Sequence, residues 1–291
     1  MGRAGGLVAR APHPPPVMAL RAWRAIWGRS VTLERPLLLF GCPRSGTTHA
    51  ANLLALHPEL ANVSEAQRLW DPRFLDPEAD HDISPDKATE SEVRRIHDGF
   101  AFELWRSRRR RLLNKNPRTA VRLPFVHRVF PDAVWIHLVR DGRDVVASLI
   151  EAERKDAFRS GAPLGHFCKP AGWRDHWREE PAARAAWQWR ALVDGVETEV
   201  RGGFPEPLLL RYEDLARPRE AIGALWRSAG LAVTPSALGL LPHKADVRVG
   251  SWQRRLSAVE IDQVNAVAGP ALVRLGYAPD PSRAALNGSG C

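Results

Sequence analysis

Leu37-Leu38-Leu39-Phe40-Gly41-Cys42-Pro43-Arg44-Ser45-Gly46-Thr47-Thr48 is the most informative stretch of this 291-residue chain. Four apolar residues between Pro36 and Gly41 predict a short strand buried on both faces. A glycine-containing turn follows, and then a helix from Thr47 to Leu56, stopped by His57-Pro58. The spacing G-x-x-x-x-G-T-T matches the phosphate-cradling pattern G-x-x-x-x-G-K-[ST], with Thr47 in place of the lysine. The physics survives that exchange, because the N–H groups of a tight turn and of a helix N-terminus still converge on an anion. Arg44 brings a cation earlier in the loop, and Thr47 and Thr48 bring hydroxyl donors. A nucleoside triphosphate needs a lysine and usually Mg²⁺ at this place. The set found here suits a terminal group with less charge than a γ-phosphate.

Working outward, Val134 to Val139 predicts a second strand, followed by Arg140-Asp141-Gly142-Arg143-Asp144-Val145-Val146-Ala147-Ser148. Ligands of open α/β sheets bind at the carboxyl ends of strands. Arg140 would leave the sheet beside the first loop, and with the Ser148 hydroxyl it suits a second, separate phosphate. Arg143 reads instead as the partner of Asp141 or Asp144. Leu112-Leu113 and Leu208 to Leu210 are further strand candidates. Helical patterns run over 91–111, 119–130, 142–153, 181–201 and 216–229, with a loop at 241–252 and a surface loop or lid at 71–88. Strands alternating with helices predict one three-layer α/β domain, a P-loop-type fold with a central parallel sheet flanked by helices. The expected organisation is a flexible basic arm (1–16), an amphipathic helix and linker (17–35), the main domain (36–280) and a disordered tail (281–291).

Composition narrows the classes further. Hydrophobic residues make up 44% and charged residues 26%, which excludes a wholly disordered chain. The net charge is +9, but it is unevenly placed. Residues 1–35 hold six Arg against one Glu, and Arg106, Arg108, Arg109, Arg110 and Arg111 form a second cluster. Together they account for the whole surplus and leave the body near neutral, unlike the continuous cationic face of a nucleic-acid-binding domain. Cys42, Cys168 and Cys291, without any C-x-x-C, imply neither a disulfide framework nor a zinc site. No apolar run is long enough for a transmembrane helix. No cleavable leader pattern is present, and Gly6 breaks the myristoylation pattern. The expected location is cytoplasmic.

Pro43 to Thr48 and Val139 to Ser148, in this order and spacing, resemble the sulfotransferases that use 3′-phosphoadenosine 5′-phosphosulfate. The likeness runs from about residue 36 to 277 and is nearest the bacterial, tyrosylprotein and carbohydrate branch. It implies that Pro43, Arg44, Ser45, Gly46, Thr47 and Thr48 hold the 5′-phosphosulfate, and Arg140 and Ser148 the 3′-phosphate. By the same resemblance, Glu65, eight residues after His57, is the general base, and Lys115 of Asn-Lys-Asn-Pro-Arg-Thr lies by the transferring group. Tyr212 of Arg-Tyr-Glu-Asp-Leu would contact the nucleotide, and Arg248, Gly250 and Trp252 belong to a loop closing over the 3′-phosphate and adenine. Gln67 stands where the family often has His or Arg. Ala152 stands where the tyrosylprotein branch has a second Arg, with Arg154 nearby.

The implied reaction is in-line sulfuryl transfer to a hydroxyl or amine acceptor (a sugar, lipid, phenol or peptide) without metal. Nucleic acid is not an expected partner, and a homodimer stays open. The competing readings are a P-loop nucleotide-dependent kinase with a degenerate loop and a non-catalytic anion-binding protein. His49 and His137 are alternative bases near the loop, with His97 and His127 further off. Trp187 and Trp189 are expected in the core. Trp70 and Trp105 are expected to line the acceptor pocket, whose walls fall at 66–111 and 155–180.

Overall fold

Five strands run parallel in one sheet of order β2-β3-β1-β4-β5 in the computed structural model, which describes residues 33–73, 76, 78–155 and 168–277. They are β1 (Leu37–Phe40), β2 (Leu60–Ser64), β3 (Arg111–Lys115), β4 (Val134–Val139) and β5 (Leu208–Arg211). The expected arm, amphipathic helix and tail, and part of the 155–180 wall, lie outside the described residues.

Parallel neighbours need crossover connections, and these supply the helices: α1 (Thr47–Leu54), α2 (Gln67–Trp70), α3 (Glu90–Ser107), α4 (Leu123–Val129), α5 (Gly142–Arg154), α6 (Pro181–Arg201), α7 (Pro218–Ser228), α8 (Pro235–Gly239), α9 (Trp252–Arg255) and α10 (Ala258–Arg274). Side chains alternate across β1. Leu37 and Leu39 join the core shared with Ala50 and Leu54 of α1 and Trp226 of α7. Leu38 and Phe40 join the opposite core with Val145 of α5, Trp189 of α6 and Val264 of α10. A strand covered on both faces reads as a continuous apolar run, which is how β1 appears in the sequence. Leu37 pairs with Leu113 on one side and Val134 on the other, so the chain leaves β1 toward opposite halves of the sheet. The crevice at the carboxyl end of such a strand is where open α/β sheets bind ligands.

The three-layer parallel architecture agrees with expectation, while several elements differ from it. β2 is absent from the expected strands, yet Leu60 to Ser64 pair in register with Arg111 to Lys115. The helix expected over 91–111 ends at Ser107, because Arg108 turns into the left-handed region (φ 55) and frees the chain to open β3 at Arg111. The 119–130 segment is a 3₁₀ turn (Pro117–Val121) followed by α4, and Pro124 sits in the first turn of that helix, where its missing N–H costs nothing. The 241–252 loop ends as Trp252 starts α9. Trp70, expected on the acceptor pocket, packs in the core. It is 1% exposed, its indole donates to Asn114 Oδ1 (3.2 Å), and its ring packs edge-on against Phe100 and Phe130. Trp187 and Trp189 are buried, as expected. Among the described residues, no helix is long and apolar enough to cross a membrane.

Candidate active site

The candidate residues sit at the carboxyl ends of the strands or on elements that lead from them, except those of the 248–252 loop, which follows α8. After β1, Gly41 passes so close to the backbone of β4 that a side chain there would strike the Leu138 carbonyl. Arg44 takes the left-handed conformation (φ 69), and the Ser45 amide closes the turn on Cys42 O at 3.1 Å. Gly46 (φ 99) precedes α1, and a Cβ there would overlap the Tyr212 ring. The N-terminus of α1 has no side-chain cap and no acidic residue in its first turn, so the positive end of the helix is left for an external anion. Pro43, Ser45 and Thr47 are buried, and the Ser45 hydroxyl has no partner among the described residues. Arg44 and Thr48 are exposed.

Arg140, leaving β4, ties three segments together. Its guanidinium lies 4.2 Å over the Tyr212 ring and donates to Arg44 O (3.3 Å) and Arg248 O (2.5 Å). Asp144 Oδ2 lies 3.6 Å away, and Arg140 Nε is buried without a partner among the described residues. Tyr212, expected on the nucleotide, is largely covered, and its hydroxyl accepts from Arg248 N (3.3 Å). Arg44 Nε donates to Ser148 Oγ (3.1 Å), so residues expected on two different phosphates touch each other.

The C-terminal loop is fixed by a residue that the sequence reading treated only as an ion-pair partner. Asp144 is wholly buried and accepts from Gly250 N (2.9 Å), Ser251 Oγ (2.8 Å) and Trp252 N (2.9 Å). Beside it, Asp141 caps α5 and pairs with Arg143 (2.7 Å), whose guanidinium stacks 4.3 Å over Trp252. A cavity of about 450 Å³ opens next to this loop, lined by Glu151, Arg248, Ser251, Arg254 and Arg255 among others. Arg154, near the position where the tyrosylprotein branch has its second Arg, pairs with Glu260 (2.9 Å). Arg255 crosses from α9, reaching Ala147 O at 3.1 Å and the Glu151 carboxylate.

On the other half of the sheet, Lys115 ends β3 and its Nζ lies 2.6 Å from Glu65 Oε1. The lysine is 3% exposed and the glutamate side chain 50%. Glu65 and Ala66 both have positive φ, 60 and 41, a strained pair for residues with a Cβ. The strain is held by Glu65 N on Lys115 O (2.6 Å), Ala66 N on Ser64 O (2.7 Å) and Asn116 Nδ2 on Glu65 O (3.2 Å). Asn116 Oδ1 in turn accepts from Gln67 Nε2 (3.0 Å) and Arg118 N (3.0 Å). Gln67 is therefore a strut, and Asn116 is a site residue that sequence reasoning passed over. Its only signal was its place directly after Lys115. The ion pair connects to the phosphate loop through the backbone, by Asn116 N on Leu39 O at 2.9 Å.

Three of the four candidate histidines are held by contacts elsewhere in the fold, while the buried Nε2 of His49 has no partner among the described residues. His137 is buried in β4, stacked on Phe40 at 5.1 Å, and burial pushes its pKa down to about 4. His97 bonds Val129 O, and His127 packs between Trp135 and Phe204. Burial also lowers His49 on α1. The Cys42 thiol is pushed up by burial, and that of Cys168 rises to about 12, so neither is a nucleophile at neutral pH.

Comparison with known proteins gives a consistent picture. A model described as "Sulfotransferase family" matches residues 36–235. A protein of Caenorhabditis briggsae, provisionally named a protein-tyrosine sulfotransferase, is 32% identical over 124 residues, 40% of this chain and 44% of that protein. A Caenorhabditis elegans protein of the same name is 51% identical over 41 residues, 14% of this chain and 16% of that one. The chain thus spans less than half the length of the curated relatives it matches. A sulfotransferase from Mycobacterium avium superposes with TM-score 0.56 at 15% identity, covering 89% of this chain and 82% of that one. The sulfotransferase domain from the curacin biosynthetic pathway gives TM-score 0.54 at 16% identity, covering 85% and 99%. At such identities the structural likeness is one of fold.

Proposed function

We infer the activity from one premise: this chain belongs to the sulfotransferase family, whose model it matches over residues 36–235. The reading is transfer of a sulfuryl group from 3′-phosphoadenosine 5′-phosphosulfate to an acceptor hydroxyl. The observation that carries it is the Glu65–Lys115 pair at the end of β3, one strand away from the uncapped N-terminus of α1. A base, a cation and an anion cradle are what displacement at sulfur requires.

The residues fit a donor with two anionic ends. The α1 amides, the partnerless Ser45 hydroxyl, Arg44, Thr47 and Thr48 suit the 5′ end. Ser148, the unpartnered Arg140 Nε and the Arg248–Trp252 loop suit the 3′ end. When bound, the donor supplies an activated sulfuryl group on a phosphate leaving group. Glu65, half exposed, is open to an acceptor and takes its hydroxyl proton. Lys115 and Arg44 stabilise the charge that gathers on the departing oxygen, and the surroundings of Lys115 exclude water, which strengthens that interaction. These fixed cations take the place that Mg²⁺ holds at a triphosphate. The relatives' name favours a tyrosyl hydroxyl as acceptor. Two buried free thiols, Cys42 and Cys168, suit a reducing cytoplasm.

Adenosine 3′,5′-bisphosphate should raise the melting temperature in the presence of a metal chelator, while ATP with Mg²⁺ should not. The reverse result would assign the site to a kinase. Incubation with labelled donor and a panel of hydroxyl acceptors then identifies the substrate.

A further inference from the structure

We propose that the end of the sheet opposite the active site is a docking face for an anionic lipid surface. Six arginines of the described fold collect there. Arg35 precedes β1, and Arg111 opens β3 with its guanidinium on Arg35 O (2.5 Å) and Ala229 O (2.7 Å). The left-handed turn at Arg108 throws Arg108, Arg109 and Arg110 to the outside. The backbone N–H groups of Arg110 and Arg111 bind Glu59 O (3.1 and 3.0 Å), and Arg109 NH1 binds Pro58 O, which pins the turn against the entry to β2. Arg106 is answered by Glu103 at 2.8 Å. Against these six arginines stand Glu34, Glu59, Glu103 and Asp132, so the face of the fold is moderately basic.

Residues 1–32 carry five Arg and no acidic residue, and the chain enters the fold at Leu33, Glu34 and Arg35, on this same end.

Two features favour lipid over nucleic acid or an acidic protein. Trp105, expected on the acceptor pocket, lies instead at this opposite end, 40% exposed at the end of α3, and Leu56 is 38% exposed just before the Pro58 carbonyl that Arg109 holds. A tryptophan and a leucine set among arginines match the boundary of headgroup and acyl chain, where aromatic rings and guanidinium groups partition together. The 17–35 segment repeats the combination in sequence, with Trp23, Ile26 and Trp27 interspersed with Arg21, Arg24 and Arg29. Strands of four to six residues separate this face from the site by roughly 15 Å. Docking here would leave the carboxyl ends of the strands facing away from the surface and open to solvent.

The test is co-sedimentation of the full chain with vesicles of phosphatidylcholine alone and of phosphatidylcholine with phosphatidylserine, at low and high salt. Binding should require phosphatidylserine and weaken with salt. The double variant Arg108→Glu/Arg110→Glu should lose about tenfold or more of it with the melting temperature unchanged. Trp105→Ala should weaken vesicle binding and leave retention on heparin unaltered. Equal pelleting with both vesicles, or no change in the double variant, overturns the proposal. Heparin or DNA binding without vesicle binding, or a silent Trp105→Ala, assigns the face to another polyanion and overturns it as well.

Discussion

Glu65 carries both the proposed chemistry and the clearest strain in the site. A non-glycine residue in the left-handed region costs on the order of 1 kcal/mol, and here two stand in succession. The geometry persists because β3 and Asn116 hold it, which separates two predictions. Glu65→Gln keeps the fold and should slow turnover about 10²–10⁴-fold, measured with saturating donor. Asn116→Asp keeps the acceptor that holds Arg118 N but loses the donor to Glu65 O. It should lower kcat about tenfold and leave the KM for donor nearly unchanged, at the ~1.4 kcal/mol expected of one lost buried hydrogen bond. A rise in donor KM instead would place Asn116 outside the base-positioning role. His137 gives a third prediction, in stability. Its folded pKa of about 4 lies below the unfolded value near 6.5, so the native state binds fewer protons. Its contribution is fully present above pH 6.5 and is lost as pH falls through 4, up to about 3 kcal/mol. His137→Phe, on the Phe40 stack, should flatten that acid limb in denaturant titrations at successive pH values.

At the scale of elements, the loop at 248–252 depends on α5 rather than on its own sequence. Asp144 gives it three hydrogen bonds from a wholly buried carboxylate, and nothing nearer than 106 residues away in the chain signals this. Asp144→Ala should release the loop, leave Gly250 N and Trp252 N without their acceptor and cost about 3 kcal/mol or more, with donor KM raised at least tenfold. Donor kinetics and a melting curve check it. The same contrast explains what could be read in advance. β1, its loop, α1 and β4 were legible because strands buried on both faces write unbroken apolar runs and the loop carries a spaced motif. β2 was not, because Leu60-Ala61-Asn62-Val63-Ser64 is a short edge strand with Asn62 turned to solvent, and its pairing partner lies fifty residues on. Arg108 ends α3 in a left-handed turn without a glycine, so no local signal marked the boundary. Glu65 and Lys115 were named from resemblance, but their 2.6 Å contact, and the Asn116 strut behind it, exist only once β2 lies beside β3.

For the molecule as a whole, the parallel sheet gathers segments remote in sequence at one end, and Arg140 is where they meet. The phosphate loop, the β5 tyrosine and the C-terminal loop all bind its guanidinium. Arg140 therefore acts on the free protein as well as on the complex. A ligand present at a hundred times its Kd stabilises by about 2.7 kcal/mol, which for a domain of this size is on the order of 5–10 °C in melting temperature. Adenosine 3′,5′-bisphosphate should show a shift of that order with the unaltered chain. Thr48→Ala, at an exposed position facing the loop mouth, should keep the melting temperature of the free protein and lose part of the shift. Arg140→Ala should lower the free protein and the shift together, because the carbonyls of Arg44 and Arg248 lose their donor and the two loops lose their common anchor. A variant whose free protein melts normally while the shift disappears would mean that Arg140 serves the ligand alone. The stacked guanidinium, with its two carbonyl bonds, argues that the binding end of the sheet is held in shape before any ligand arrives.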